Sequence, residues 1–198
     1  MEGSASLLVF VAVLAGKVWS ASMRSSGYER AAEDWYVEPR WLVDALLNVE
    51  AIPKTSMVWD PSCGGGTIPI AVTSRGVSCR ASDIVNRGYG EVSDFFSEKR
   101  SADVIISNPP YGVIEKYIQH ALGLTKDRVI ILARLALLES QSRQVFFNTT
   151  PIARIWVSSR RASMPPGGSD IKAKGGTIAF AWFVWDHAHQ GKPTLGWI

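Results

Sequence analysis

The stretch Asp103-Val-Ile-Ile-Ser-Asn-Pro-Pro-Tyr111 joins a run of Val and Ile to a double proline. An apolar run stopped this abruptly reads as a buried parallel strand that ends in a rigid loop at the strand's C-terminal edge. The prolines leave the carbonyls of Ser107, Asn108 and Pro109 without a following helical turn, and the Asn108 amide adds one acceptor and two donors beside an aromatic ring. That set suits a flat substrate bearing an amine. A plain strand exit with a packed Tyr111 would look the same.

A second loop of the same kind lies upstream. Met57 to Asp60 is a short apolar strand ending in an acid, and Pro61-Ser-Cys-Gly-Gly-Gly66 leads into a helix opening at Thr67 and closing at Gly76. Strand, glycine turn and helix together form a cofactor-binding unit, with glycine wherever a ligand must approach the backbone. Val77 to Ala81 predicts the next strand, ending at Asp83, whose carboxylate can accept both hydroxyls of a ribose. A solvated acid at a strand end is the competing reading of Asp83.

The ordered series Asp60-Pro-Ser-Cys-Gly-Gly-Gly66, Ser82-Asp-Ile84, Asp94-Phe-Phe96 and Ser107-Asn-Pro-Pro-Tyr111 resembles the motifs of class I S-adenosylmethionine-dependent methyltransferases. Within these it is most similar to the adenine N6-specific DNA methyltransferases, and Asp34-Trp-Tyr-Val-Glu-Pro39 resembles the segment that precedes their glycine loop. Arg134, Leu137, Arg143 and the tail Ala181-Trp-Phe-Val-Trp-Asp186 are similar to small methyltransferases of phages and prophages. The resemblance covers roughly residues 28 to 198 and implies S-adenosyl-L-methionine as cofactor. It implies cofactor contacts from Tyr36, Pro39, Asp60, Pro61, Cys63, Gly64, Gly65, Gly66, Asp83, Ile84, Asp94, Phe95 and Asn108. It assigns the chemistry to Asn108, Pro109, Pro110 and Tyr111, with adenine N6 in DNA as acceptor. Glu38 stands where the family often has a hydroxyl residue.

Around these motifs the chain alternates helix and strand. Pro39 suits a first helical turn, and Trp41, Leu42, Ala45 and Leu46 recur at helical spacing. Val113, Ile114, Tyr117, Ile118, Ala121 and Leu122 form a second apolar stripe, with Gly123 as its expected terminator. Arg128 to Ala133, Ile152 to Val157 and Thr177 to Trp185 predict strands. The expected fold is therefore a doubly wound α/β sheet with ligands at the C-terminal ends of its strands. The resemblance adds a mostly parallel, Rossmann-like sheet of seven strands with the last antiparallel.

With 198 residues, 46% of them apolar and 20% charged, the chain can bury one full core. A formal charge of +3 permits a nucleic-acid partner without requiring one. Cys63 and Cys79 are too few for a zinc site or a disulfide framework. Asp186, His187 and His189 enter a Gly-Lys-Pro turn with no fourth ligand in view, so no metal is expected. Leu7 to Ala15 is too short to cross a bilayer and follows Glu2 instead of a basic region, so neither membrane nor secretion is expected and the location reads as cytoplasmic. Residues 1–27 read as a dispensable extension, with Met23 as an alternative start, and residues 28–198 as one domain lacking a separate target-recognition domain.

Between Arg154 and Lys174 lie Arg154, Arg160, Arg161, Lys172 and Lys174 against one acid, Asp170. Arg160, Arg161, Lys172 and Lys174 are the expected substrate contacts, since a basic loop suits phosphates. An ordinary solvated hairpin loop is the competing reading. Trp156, Trp182, Phe183 and Trp185 fall on apolar strands and read as core. Three functions remain open: adenine N6 methylation of DNA, methylation of RNA or of a protein glutamine, and a non-catalytic cofactor-binding subunit whose protein partner reads the target.

Overall fold

The computed structural model describes residues 35–173 and 175–198; the expectations for residues 1–27, for Asp34 and for Lys174 lie outside the described residues. Helix α1, Arg40–Val49, opens behind Pro39 and buries Leu42, Val43, Leu46 and Leu47; of the residues whose spacing predicted it, Leu42 and Leu46 are buried and Trp41 and Ala45 half-buried. The chain then runs through β1 (Met57–Asp60), α2 (Thr67–Thr73), β2 (Ser78–Asp83), the two-residue β3 (Glu91–Val92) and β4 (Ala102–Ser107). It continues with α3 (Ile114–Leu124), β5 (Thr125–Arg134), α4 (Gln141–Thr149), β6 (Ile152–Val157), β7 (Phe180–Asp186) and β8 (Thr194–Trp197).

The strands form one sheet in the order β3-β2-β1-β4-β5-β7-β6-β8. Strand β7 alone runs against the rest, antiparallel to both β5 and β6. Alternate residues along the central strands face opposite layers. Val58, Val104, Ile106, Ile130 and Leu132 pack under α1 and α2, while Trp59, Ile105, Val129 and Ile131 pack under α3 and Phe146 of α4. Both faces of each central strand are thus covered, which is why these strands read as continuous apolar runs. Trp182, Phe183 and Trp185 of β7 have no exposed surface.

The order reverses between β1 and β4. From β1 the connections lead to β2 and β3 on one side, and from β4 they lead to β5 on the other. Loops leaving adjacent strands in opposite directions open a crevice between them. Those two loops are the glycine turn and the Asn-Pro-Pro-Tyr turn.

Three details differ from the sequence reading. An eighth strand, β8, adds to the seven expected and pairs parallel with β6; four residues including Gly196 are too short to show strand periodicity. Gly123 lies inside the last turn of α3 instead of ending it, because the chain passes from Leu124 directly into β5 and pairing of Thr125 with Ala102 sets the boundary. Arg154 belongs to β6 and not to the basic loop, its guanidinium being held by Glu50 and Asp186.

Candidate functional site

At the β1/β4 crevice lies a cleft with about 140 Å³ of accessible space, lined by the glycine turn, by Trp35 to Glu38, by Asp83 to Arg87 and by the loop after β4. Of the residues the resemblance assigns to the cofactor, Tyr36, Pro61, Cys63, Gly64, Gly65, Asp83, Ile84, Asp94, Phe95 and Asn108 line it.

Pro39, Asp60 and Gly66 do not. Pro39 precedes α1 as its N-cap. Gly66 opens α2 at φ 89°, beneath the Tyr89 ring. Asp60 is 1% exposed and accepts from the Ser62 N–H at 3.2 Å and from Ser107 Oγ at 2.8 Å. Tyr117 completes that knot, its hydroxyl donating to Ser107 Oγ at 3.0 Å and lying 3.1 Å from Ser62 Oγ. Asp60 therefore ties the two loops together from behind. Burial, then the charges of Glu38 and Asp83, raise its carboxyl well above the usual range, against the lowering effect of the Ser107 and Ser62 hydrogen bonds.

The glycine turn is shaped by its neighbours as much as by any ligand. Gly64 has φ 51°, and a Cβ there would meet Trp35 Nε1 at 2.5 Å. Asp83 caps the turn: Oδ2 accepts from the Gly64 N–H at 2.9 Å and Oδ1 from the Val85 N–H at 3.0 Å. Arg87 approaches Oδ1 at 3.4 Å and stacks 4.1 Å over the Trp35 ring. Oδ2, with the Gly64 N–H on one side, has a second acceptor direction to offer a ligand hydroxyl. Asp94 caps its own turn, accepting from the Phe96 N–H at 3.0 Å and from Ser97 Oγ at 2.8 Å, while Phe95 packs 4.4 Å from Tyr117.

Trp35 to Val37 form a strap across the cleft. Val37 N–H donates to Pro165 O at 3.0 Å, Gly167 N–H donates to Trp35 O at 2.9 Å, and Tyr36 bridges Pro166. A Cβ at Gly167 would lie 2.1 Å from the Trp35 ring, so the loop carrying the basic residues approaches this closely only through glycine. The strap also reaches Asn108, whose Nδ2 donates to Tyr36 O at 3.0 Å and to Glu38 Oε2 at 3.0 Å. Asn108 Oδ1 accepts from the Tyr111 hydroxyl at 2.9 Å. Pro110 lines the cleft, and Pro109 is buried behind it.

Tyr111 faces a second, much smaller cavity with about 30 Å³ of accessible space, shared with Tyr36, Arg134, Met164, Thr177 and Phe180. The Arg134 guanidinium stands 5.3 Å over its ring. Tyr36 lines both spaces, Asn108 lines the first and Tyr111 the second, and the hydrogen bond from Tyr111 to Asn108 links their walls. Nearby, Arg161 Nη1 donates to Thr177 O at 3.2 Å, Arg160 stacks 4.7 Å over Trp41, and Lys172 is exposed.

Arg87 and Tyr117 line the cleft without having been expected there, while Trp35 and Glu38 line it from the segment that the resemblance sets ahead of the glycine loop. Tyr117 was hidden in an apolar helical stripe, and only its buried hydroxyl separates it from a core aromatic. Arg87 carries no motif signal. Glu38 had one, being an acid directly after the apolar run Trp35 to Val37.

Burial pushes the Glu38 carboxyl up to about 7 from 4.5, against the lowering effect of hydrogen bonds from Asn108, its own backbone and Thr67. Folding therefore takes up a proton between about pH 4.5 and about pH 7, and stability is lost as pH rises through that window. Glu38→Gln should match the parent near pH 4 and exceed it at pH 8 by ~2–3 kcal/mol, as paired urea melts would show. The Cys63 thiol is pushed up to about 12, first by burial and then by Asp60 and Asp83, so it stays protonated.

No family model matches the chain, and neither does any curated protein. Solved structures do. A provisionally assigned RNA methyltransferase from Pyrococcus horikoshii superposes with a TM-score of 0.61 at 12% identity, over 84% of this chain and 93% of that one. A modification subunit of a provisionally assigned type I restriction enzyme from Vibrio vulnificus gives 0.56 at 14% identity, over 82% of this chain. This chain spans about half, 47%, of that subunit's length. Magnesium protoporphyrin IX methyltransferase from Synechocystis, with S-adenosylmethionine bound, gives 0.50 at 17% identity, over 73% of this chain and 78% of that one. The chain has the Rossmann-like fold of the S-adenosylmethionine-dependent methyltransferases.

Proposed function

We propose that this protein transfers the methyl group of S-adenosyl-L-methionine to an exocyclic amine, with adenine N6 in DNA as the acceptor. The observation that carries the reading is the pair Asn108 and Tyr111, hydrogen-bonded to each other, with Asn108 lining a cleft built on a glycine turn and Tyr111 lining a space walled by Tyr36, Phe180 and Arg134. In the first, the Cys63 to Gly65 backbone and Tyr36 would hold the methionine portion, Asp83 the ribose, and Asp94 with Phe95 the adenine. A flat base that has left its stack would lie against Tyr111 at the second, which has to widen to take it.

An adenine amine is a weak nucleophile because its lone pair is delocalised into the ring. Accepting hydrogen bonds from both amine protons, at Asn108 Oδ1 and at the Pro109 carbonyl, favours the tetrahedral nitrogen that attack requires. The methyl then passes in line from the sulfonium, and the protein contributes position and electrostatics. The Vibrio vulnificus subunit, from a restriction enzyme, favours DNA among the possible acceptors. Because this chain spans about half of that subunit, a protein partner that reads the target fits the same proposal.

Labelled methyl transfer to unmethylated DNA, to RNA and to protein extract tests the reading. Label appearing at adenine N6 of DNA is expected. Label appearing in RNA or at protein glutamine would replace the acceptor, and no transfer to any of the three would leave a cofactor-binding subunit.

The basic loop adds a second expected result. Each phosphate neutralised adds about −0.9 to the slope of log K against log salt for duplex DNA. Changing Arg160, Arg161 and Lys172 to Ser should therefore flatten the slope by ~1–3 and weaken DNA binding, with cofactor affinity unchanged. An unchanged slope would return the loop to an ordinary solvated hairpin.

A further inference from the structure

A primary amide has a donor end and an acceptor end of nearly the same shape, so what an asparagine offers a ligand depends on the groups that hold it. Around Asn108 those groups are unequal. Nδ2 faces two acceptors, Tyr36 O and Glu38 Oε2, both at 3.0 Å. Oδ1 faces the Tyr111 hydroxyl at 2.9 Å, and a hydroxyl can donate or accept, so that end tolerates either orientation. The Tyr36 carbonyl and Glu38 carboxylate alone keep Nδ2 inward and Oδ1 on the side of the acceptor cavity.

Of these two, only Glu38 carries a charge. We infer that Glu38 is a positioning residue for methyl transfer: its ionised carboxylate grips the Asn108 amide, fixes its orientation and polarises it, making Oδ1 a stronger acceptor for the substrate amine. The inference rests on the methyltransferase reading for what Asn108 contacts. A hydrogen bond to a carboxylate is roughly twice as strong as its neutral counterpart. As the amine nitrogen takes the methyl it becomes cationic, and a negative charge one amide away from it favours that change.

Glu38 is 7% exposed, and the causes that set its protonation include no cation among the described residues. Asp60 at the end of β1 and Cys63 in the glycine turn respond to its charge, Asp83 influences both, and Thr67 at the start of α2 hydrogen-bonds to it. Burial brings its titration up to about 7 in the cofactor-free protein, against the hydrogen bonds from Asn108, its own backbone and Thr67. A bound cationic cofactor lowers that midpoint.

The test compares the parent with Glu38→Gln in single-turnover methyl transfer across pH, together with cofactor titrations and the side-chain amide spectrum of Asn108, identified by its loss in Asn108→Ala. The parent rate should fall on the acid side with a midpoint at or below about 7. Glu38→Gln, which can accept but cannot ionise, should lose this limb and run about tenfold slower at pH 8, with cofactor affinity falling by clearly less than the rate. In the cofactor-free parent the Asn108 amide protons should shift with a midpoint near about 7, and in Glu38→Gln they should not. An Asn108 amide that ignores pH in the parent overturns the inference whether or not any acceptor is methylated. So do identical pH profiles for parent and variant, or a loss of cofactor affinity that matches the loss of rate.

Discussion

Asn108→Ala is expected to lower the rate of methyl transfer by ~10²–10³-fold, the usual effect of removing one preorganised polar contact to a transition state. The side chain lines the first cavity and is hydrogen-bonded to Tyr111 of the second, so its loss removes the acceptor for an amine proton and releases both Tyr36 O and Glu38. Cofactor affinity should change by less than about tenfold, one ordinary hydrogen bond's worth. Asp83→Ala should show the opposite partition, weakening the cofactor first, because Asp83 caps the Gly64 turn and faces the first cavity only. Single-turnover rates combined with calorimetric titration separate the two effects. Equal loss of rate and affinity in Asn108→Ala would make the loop a structural element.

Glu50→Ala is expected to produce the largest loss of stability. Glu50 is 3% exposed and closes α1, its backbone N–H donating to Leu46 O at 2.8 Å. Its carboxylate accepts from Arg128 at 2.8 Å, from Arg154 at 2.6 and 3.1 Å and from Trp156 Nε1 at 2.7 Å. One side chain thus ties α1 to β5 and β6 on the rim opposite the cleft, and Asp186 of β7 shares Arg154 at 3.1 Å. Removing it leaves two guanidinium groups with little water to replace their partner, which costs ~3–5 kcal/mol. For a chain of this size that corresponds to a fall of ~10 °C in Tm. Thermal melts followed by circular dichroism measure it. A fall of less than about 2 °C would mean that water reaches the arginines and replaces the carboxylate.

The two largest effects fall on opposite rims of the sheet, and they differ in how visible they were in the sequence. Asn108 was legible because a double proline after an apolar run constrains the backbone by covalent geometry alone. The glycine turn and Asp83 were legible for a similar reason, since strand, turn and helix follow one another within a few residues and their periodicities are local. Glu50 carries no such mark. Its partners lie 78 to 106 residues away in the chain, and only the pairing of β5, β7 and β6 brings them together.

The same division runs through the cleft. Local constraint determined the alternation of helix and strand, the positions of the two loops and the covered faces of the central strands, because proline, glycine and apolar periodicity act over one or two turns. Tertiary structure decided which assigned residues reach the cleft. Asp60 was drawn away from it by Ser107 and Ser62, and Arg154 was removed from the basic loop by Glu50 and Asp186. Tertiary structure also placed Glu38 on Asn108, Trp35 against Gly64 and Gly167, and Tyr36 between two cavities. The reason is physical. A buried polar side chain takes whichever partner the fold brings within about 3 Å, and no pattern along the chain encodes that distance.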